Sequence, residues 1–206
     1  MSTENAPSHP PSDPRRTGGR VRSQNAQDAV LAAAVALLEE VGYQGVTIEG
    51  VARRANVAKS TIYRWWKSKP TLVMDAYRQT VERRMPSPDT GTLAGDLAVF
   101  VAELYRVGEH PVRIKALRGL MAEAQLDPAF AEPFGQWVES RRDVIRGLLA
   151  KGIERGELPA GTDLDYAVDQ IFGPFWYRLL VGHAPLDPAD APVHVTLLLQ
   201  GWRGTN

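Results

Sequence analysis

The stretch TIEGVARRANVAKSTIYRWW, residues 47–66, predicts two short helices joined by a tight turn. Thr47 is a favoured N-cap residue, and Glu49 places a carboxylate in the first turn, where the helix dipole favours negative charge. This helix is expected to end just before Asn56, because Asn readily adopts a left-handed turn conformation. The next helix is then expected to begin near Ala58.

The second of these helices has a buried face and a polar face. At about 100° per residue, Ile62 and Trp66 lie only about 40° apart on it, and we expect both to face the core. The side chains of Ser60, Thr61 and Arg64 cluster on the opposite face. This polar face is therefore the one available to a partner.

The two adjacent tryptophans have different expected roles. Whereas Trp66 closes the core, Trp65 and Tyr63 flank the polar face. Each of these two residues carries one hydrogen-bond donor on a flat apolar ring. Such side chains suit the border of a binding surface.

Helical periodicity continues on both sides of this stretch. Apolar residues recur at helical spacing over residues 30–41, and Gly42 follows as a C-cap glycine. Ser68 is expected to cap a fourth helix that tolerates Pro70 in its first turn and runs to Arg84.

The segment after the break MPSPDTG, residues 85–91, is also helical in pattern, and nothing in it alternates like a strand. Pro133 and the pair Gly173-Pro174 are expected to kink or interrupt two of its helices. The expected fold class is all-α. The further helices are predicted at residues 92–108, 112–126, 128–155, 163–182 and 189–203.

Charge is divided unevenly along the chain. Residues 1–84 hold 13 Lys and Arg against 8 Asp and Glu, a net charge of +5, and residues 85–206 hold 11 against 16, a net charge of −5. This division favours an N-terminal module that binds a polyanion, joined to a carrier that the polyanion repels. A chance distribution of charge is the alternative.

Several function classes are excluded by composition. The chain has no cysteine, so it has no disulfide framework, thiolate nucleophile or Cys-ligated metal. The four histidines form no ligand pair, and neither a metal nor a cofactor is predicted. Residues 1–19 lack the apolar core of a signal peptide, and no segment is long and apolar enough to span a membrane. We expect a cytoplasmic protein without a membrane partner.

Residues 1–23 are predicted to form a flexible basic arm, because their Pro, Ser, Gly and charged residues bury too little apolar surface to offset the entropy of ordering. The arm carries Arg15, Arg16, Arg20 and Arg22. Such an arm can enter a minor groove of DNA, where Arg20 and Arg22 would bind. A solvated tail that raises only non-specific affinity is the alternative.

Two short helices of this kind, the second rich in Lys, Ser and Thr, form a helix-turn-helix pattern, whose second helix can lie in the major groove of DNA. The sequence TIEGVARRANVAKSTIYRWWKSKPTLV, with the preceding LLEEVGYQGVT, resembles the DNA-binding domain of TetR/AcrR-family regulators over residues 24–84. Segments such as LRGLMAEAQLDPAF and RGELPAGTDLDYAVDQIFGPFWYRLL resemble one C-terminal subgroup of that family. The sequence departs from the family pattern at Gly50, at Asn56, where a turn glycine is usual, and at Trp65, where many members carry His.

The resemblance implies a homeodomain-like helix-turn-helix domain over residues 24–84 and a helical effector-binding and dimerisation domain over residues 85–206. It also implies a set of DNA contacts on a double-stranded operator. The residues implied are Lys59, Ser60 and Thr61 at base edges and Thr47, Tyr63, Trp65 and Lys69 at phosphates.

The resemblance further implies a homodimer, formed by the last two helices, and a cavity for an unidentified small-molecule effector. The interface candidates are Phe172, Phe175, Trp176, Leu179, Leu180, Val193, Leu197, Leu198 and Leu199, with burial inside the monomer as the alternative. The apolar cavity candidates are Phe100, Tyr105, Leu117, Met121, Phe134, Trp137, Ile145, Phe172 and Trp176, with a role in the core as the alternative. Glu103, Arg118 and Glu123 are polar candidates for the cavity, with a solvated helix face as their alternative.

The function expected from these features is a ligand-responsive repressor that binds a palindromic operator as a dimer and is released by an apolar or aromatic effector. An enzyme with a DNA-binding appendage is a second reading, and no catalytic motif in the sequence favours it. A helical interaction protein that no longer reads DNA specifically is a third.

Overall fold

The computed structural model of the chain describes residues 14–84 and 87–203, with the side chains of residues 14–22, 84 and 203 left out. The described residues form helices and loops and contain no β-strand, which confirms the all-α fold class. Two short 3-10 helices follow α5 and precede α9, at Arg106–Glu109 and Pro188–Asp190. The α-helices are α1 (Pro14–Gly45), α2 (Ile48–Ala55), α3 (Lys59–Trp65), α4 (Lys69–Arg84), α5 (Leu93–Tyr105), α6 (Pro111–Leu126), α7 (Pro128–Glu154), α8 (Leu164–Val181) and α9 (Ala191–Arg203).

Helix α1 begins earlier than the sequence predicts. Its first residue is Pro14, whereas the apolar pattern that predicts this helix starts at Val30. An existing helix can extend one residue at a time without a new nucleus, and Arg and Gln are good helix formers. Residues 14–23 of the predicted flexible arm are therefore helical, and residues 1–13 lie outside the described part of the chain. The predicted break is present at Gly42, whose φ of 73° and ψ of 170° interrupt the helix.

The ends of α2 are those that the sequence predicts. The Thr47 hydroxyl oxygen accepts a hydrogen bond of 3.0 Å from the backbone N–H of Gly50. At the other end Asn56 adopts the left-handed conformation, with φ 54° and ψ 48°, and donates its N–H to carbonyls of the last turn. This cap lets the chain reverse within a few residues and begin α3 at Lys59.

The glycine inside α2 is explained by close packing. A Cβ atom added to Gly50 would lie 3.1 Å from the Thr47 hydroxyl oxygen and 3.5 Å from a methyl group of Leu37 on α1. A Cβ atom would therefore press on the Thr47 cap, whereas its distance to Leu37 would be an ordinary van der Waals contact. Helix α2 therefore carries the propensity cost of Gly, about 1 kcal/mol relative to Ala, at the position where its backbone lies close to Thr47 and Leu37.

Helix α3 is held by two buried side chains, Ile62 and Trp66. Although Trp66 was expected inside the helix, it is the C-cap residue and has extended backbone angles, because the chain turns there towards α4. Its N–H still donates to the carbonyl of Ile62, and its indole Nε1 donates at 3.0 Å to the carboxylate of Asp75 on α4. Ser68 caps α4 as predicted, accepting from the N–H of Thr71 at 3.4 Å.

The remaining helices are present within three residues of their predicted bounds. Both Pro133 and Pro174 lie inside helices that continue through them, α7 and α8. Helix α1 packs against both α4 and α6, and α4 packs against α7, so the N-terminal and C-terminal helices share an extensive contact. A movement of α4 would therefore be transmitted to α7.

The two tryptophans allow a test of this packing. We expect Trp66→Phe to lower the free energy of unfolding by about 1.5–3 kcal/mol, because it removes a part-buried hydrogen bond to a charged group. The matched control is Trp65→Phe, at a half-buried ring for which no hydrogen bond to another described residue is formed, and it should cost less than 1 kcal/mol by the same principle. Urea unfolding followed by circular dichroism compares the two variants, and equal losses would contradict the assignment.

Candidate DNA-binding surface and ligand cavity

The first turns of α3 present the side chains that the sequence predicts at a binding surface. Lys59, Ser60 and Arg64 are exposed, Tyr63 is 48% exposed, and Thr61 is half-buried. They are held in place from beneath by Ile62, which is fully buried. The structure thus brings four of the predicted DNA contacts together on one short helix: Lys59, Ser60, Thr61 and Tyr63.

Lys59 is not free in the absence of DNA. Its Nζ lies 2.9 Å from Oε1 of Glu49 on α2, and both side chains are more than half exposed. The hydrogen bond from Lys59 lowers the pKa of the Glu49 carboxyl, and the same bond raises the pKa of Lys59. Exposed pairs of this kind are weak, so a base or phosphate can compete for the ammonium group.

Thr47 is exposed at the start of α2. Although its hydroxyl oxygen already accepts the capping hydrogen bond, a hydroxyl also has one donor hydrogen. The predicted phosphate contact of Thr47 is therefore compatible with its role as a cap.

Trp65 is less accessible than the sequence suggests. Its ring is half-buried against the core and stands edge to face with Trp66 at a centroid distance of 5.6 Å. The guanidinium carbon of Arg64 lies 4.9 Å from the centroid of the Trp65 ring. These neighbours limit the part of the indole that could reach a phosphate.

Lys69 lies at the contact between the N-terminal helices and α6. Its Nζ is 4.1 Å from the centroid of the Tyr43 ring, and burial lowers its pKa against the opposing charge of Glu123. The same Glu123 carboxylate accepts a hydrogen bond from Gln44. A phosphate contact by Lys69 stays a prediction, and it would have to draw this ammonium away from Tyr43. The side chains of Arg20 and Arg22 lie outside the described part of the chain.

A cavity of about 590 Å³ lies among helices α4 to α8. Four of the predicted apolar cavity residues line it: Leu117, Trp137, Phe172 and Trp176. Two residues of α4, Tyr77 and Val81, also contribute to its wall. The cavity therefore contacts the helix that follows α3 directly in the chain.

Three other predicted cavity residues do not line the cavity. Both Phe100 and Tyr105 are buried in helix packing, and the Tyr105 hydroxyl pairs with Nδ1 of His194 at 3.2 Å. Met121 packs against the core from the side, where Gln125 hydrogen-bonds its sulfur. Helical periodicity identifies apolar faces, but it does not separate residues that fill the core from those that border a void.

The remaining candidates are also placed by the structure. Phe134 and Ile145 are buried in the core and do not line the cavity. Glu103 lines the cavity, but the other two polar candidates do not. Arg118 donates to the carbonyl of Leu179, and Glu123 accepts from Gln44.

Sequence reasoning missed Arg141, which lines the cavity and is only 8% exposed. Its Nη2 atom is buried without a hydrogen-bond partner among the described residues, as is Nε1 of Trp137. The signal was present in the sequence, because Arg141 falls four residues after Trp137 and four before Ile145, on the apolar stripe of α7. A charged residue on such a stripe is rarely buried without a partner.

The outer faces of α8 and α9 expose large apolar side chains. Of the predicted interface residues, Leu180, Val193 and Leu197 are exposed. Three others, Phe175, Leu179 and Leu199, are buried within the monomer, while Phe172, Trp176 and Leu198 are half-buried. The exposed apolar side chains of α8 and α9 are Tyr166, Tyr177, Leu180, Val181, Val193 and Leu197, which we call the α8–α9 surface.

Within the described ranges, no group of three or more His, Cys, Asp or Glu residues is arranged to hold a metal ion. None of the helices in these ranges is long and apolar enough to span a membrane.

Two family profiles match the chain. One, described as bacterial regulatory proteins of the tetR family, matches residues 30–76, which include α2 and α3. The other, described as the C-terminal domain of tetracyclin repressor-like proteins, matches residues 87–198. Together they span both the helix-turn-helix and the helices around the cavity.

Individual proteins are similar over most of their length. The chain is 39% identical over 166 residues to an uncharacterized HTH-type transcriptional regulator, YdeS, of Bacillus subtilis, covering 79% of this chain and 82% of YdeS. It is 30% identical over 193 residues to the HTH-type transcriptional regulator AqdR of Rhodococcus erythropolis, covering 92% of each. The crystal structure of the TetR family transcription regulator SCO0332 superposes with a TM-score of 0.75 at 33% identity, covering 86% of this chain and 98% of that one.

The position of Lys59 on α3 predicts a role in reading sequence. We expect Lys59→Ala to weaken binding to an operator recovered from random duplex DNA by about 5- to 150-fold, because a base contact contributes about 1–3 kcal/mol. Binding to a scrambled duplex should change much less. Fluorescence anisotropy measures both affinities.

The charge-matched control is Lys151→Ala, at the end of α7, which should leave both affinities unchanged. An equal loss on operator and scrambled DNA would contradict base reading and assign Lys59 to the phosphate backbone instead.

Proposed function

The chain belongs to the TetR family of bacterial regulatory proteins, and from this premise we propose that it is a ligand-responsive repressor that binds a palindromic operator as a homodimer. The effector is a small, largely apolar molecule that binds in the cavity and releases the protein from DNA. In this proposal the protein acts in the cytoplasm and is not an enzyme.

The observation that carries the proposal is the double role of α4. On one side Asp75 accepts the hydrogen bond from Trp66 at the end of α3. Two residues further on, Tyr77 lines the cavity and stands edge to face with Trp137 at a centroid distance of 5.4 Å. A ligand that displaces Tyr77 would therefore move the helix on which α3 is seated.

This coupling has a thermodynamic condition. An effector can shift DNA affinity only by its difference in affinity between the DNA-binding shape and the released shape, and DNA must weaken effector binding by the same factor. The contact of α4 with both sites supports such a difference, because one rigid helix cannot move at the cavity and stay fixed at α3.

Charge supports an orientation on DNA. Residues 1–84, which contain α2 and α3, have a net charge of +5, and residues 85–206 have a net charge of −5. The acidic half is repelled by phosphate, so the complex is favoured with the cavity facing away from the duplex. We propose residues 24–84 as the DNA-binding domain and residues 85–206 as the effector-binding and dimerisation domain. Minor-groove reading by Arg20 and Arg22 stays a prediction of the sequence.

The α8–α9 surface supports dimerisation. Apolar side chains that lie together on an exposed face are typical of protein interfaces. A symmetric dimer would bury this surface against a second copy of itself and present two α3 helices about one DNA turn apart.

Operator recognition can be tested without knowing the regulated genes. Selection from random duplex DNA should enrich a palindrome with two half-sites, and anisotropy should show tight, salt-sensitive binding that a scrambled duplex does not match. Enrichment of a single half-site would contradict a symmetric dimer on DNA. Failure to enrich any sequence would favour the interaction-protein reading instead.

Dimerisation gives a separate prediction. We expect Leu197→Asp to convert the dimer into a monomer at micromolar concentration, because it places a charge in the α8–α9 surface. The matched control is Leu126→Asp, at an exposed leucine at the end of α6. Light scattering coupled to size-exclusion chromatography measures the mass, and a monomeric wild-type protein would refute the proposed interface.

A further inference from the structure

We propose that the cavity binds a monoanionic ligand, an apolar molecule with one carboxylate, and that Arg141 and Trp137 of α7 bind that carboxylate. This inference rests on the proposed effector cavity and adds the chemical class of its ligand. It depends on two buried donor atoms that have no hydrogen-bond partner among the described residues.

The first donor is Arg141. The side chain is 8% exposed and lines the cavity, and its Nη2 atom has no hydrogen-bond partner among the described residues. The guanidinium carbon lies 5.4 Å from the centroid of the Phe100 ring, a contact that does not satisfy the N–H groups. Burial lowers the pKa of Arg141. A buried cation without a partner costs several kcal/mol, so its retention points to a partner that arrives later.

Nearby carboxylates do not neutralise Arg141. Glu82, whose charge opposes the effect of burial on the Arg141 pKa, forms its ion pair with Arg78 at 3.7 Å. Arg141 takes part in none of the described ion pairs. The cavity wall contains two carboxylates, Glu103 and Asp169, and both pair with other residues.

The other cations of the cavity wall are already paired. Arg106 lies 3.0 Å from Glu103, and Arg142 pairs with Asp169. The third pair joins Arg113 to Glu39 of α1 at 3.7 Å. Arg141 is therefore the lining cation that takes part in no ion pair within the described part of the chain.

The second donor is the indole of Trp137, one helical turn before Arg141. Its Nε1 is buried and unpaired in the described structure. Arg and Trp side chains can only donate hydrogen bonds, so a ligand group that pairs with them must accept. A carboxylate offers two acceptor oxygens in the geometry that a guanidinium group binds best, and one guanidinium balances one negative charge.

The rest of the cavity selects an apolar body. Leu104, Val107, Leu117, Val138, Phe172 and Trp176 contribute side chains to its wall. A volume of about 590 Å³ lies within the range of sites for drug-sized molecules. A bicyclic aromatic acid or a medium-chain fatty acid has both the body and the charge that these residues require.

The test compares acids with their neutral amides. Calorimetry should show that 2-naphthoate and decanoate bind the full-length protein at least tenfold more tightly than 2-naphthamide and decanamide, a difference of about 1.4 kcal/mol. Arg141→Met should abolish this preference, and Trp137→Phe should reduce it. The control Lys151→Met removes a cation of α7 that does not line the cavity and should preserve the preference.

Equal affinity of acid and amide for the wild-type protein would overturn the inference, as would failure of both acids to bind at millimolar concentration. Operator binding, measured on the same preparations, separates this result from the proposed function. If an amide released the protein from DNA, the proposed effector cavity would be supported and the proposed preference for a carboxylate would be contradicted. If an acid bound but left DNA affinity unchanged, the carboxylate site would be supported and the proposed ligand response would be contradicted.

A second measurement needs no ligand. Because Arg141→Met removes an uncompensated buried charge, the thermal unfolding midpoint of the ligand-free protein should rise by about 2 °C or more. A lower midpoint would show that Arg141 stabilises the fold through its contact with Phe100, and would overturn the assignment.

Discussion

The seating of Trp66 between α3 and α4 is the interaction on which the DNA-binding surface depends. Helix α3 has seven residues, far fewer than an isolated helix needs for stability in water. Its direction is therefore set by buried side chains, and Trp66 is fixed by both packing and its bond to Asp75. Since α4 also borders the cavity, the position of the exposed face of α3 and the shape of the cavity wall are parts of one packed unit.

The sequence predicted the helix-turn-helix well because its signals are local. The hydroxyl of Thr47, the left-handed Asn56 and the cap Ser68 each satisfy backbone groups within three or four residues, so their effect does not depend on the rest of the fold. The early start of α1 and the extended backbone of Trp66 were missed. Both depend on how far a helix extends before tertiary packing or a turn stops it, which residue types specify only weakly.

The cavity was predicted less well, because helical periodicity reports burial and not what a buried side chain faces. Tyr105 and Trp137 have the same signature in the sequence, yet one packs inside the bundle and the other borders the void. That distinction is set by how several helices meet, over separations that no single periodic pattern contains. Arg141 was missed for a different reason. Helical periodicity is read from apolar positions, whereas the informative residue on the apolar stripe of α7 is the charged one.

The two binding surfaces handle their charges in opposite ways. On α3, Lys59 is paired with Glu49 in an exposed contact that is easily exchanged, so the DNA-free protein carries little strain there. In the cavity, Arg141 is buried and forms no ion pair with a described residue, so a ligand that supplies a negative charge would lower the cost of burying it. Because Trp137 lies one helical turn before Arg141 and stands edge to face with Tyr77 of α4, a ligand bound by these donors would press on α4. The free energy gained at Arg141 could then favour one position of α4 over another, which is the differential affinity that any ligand response requires.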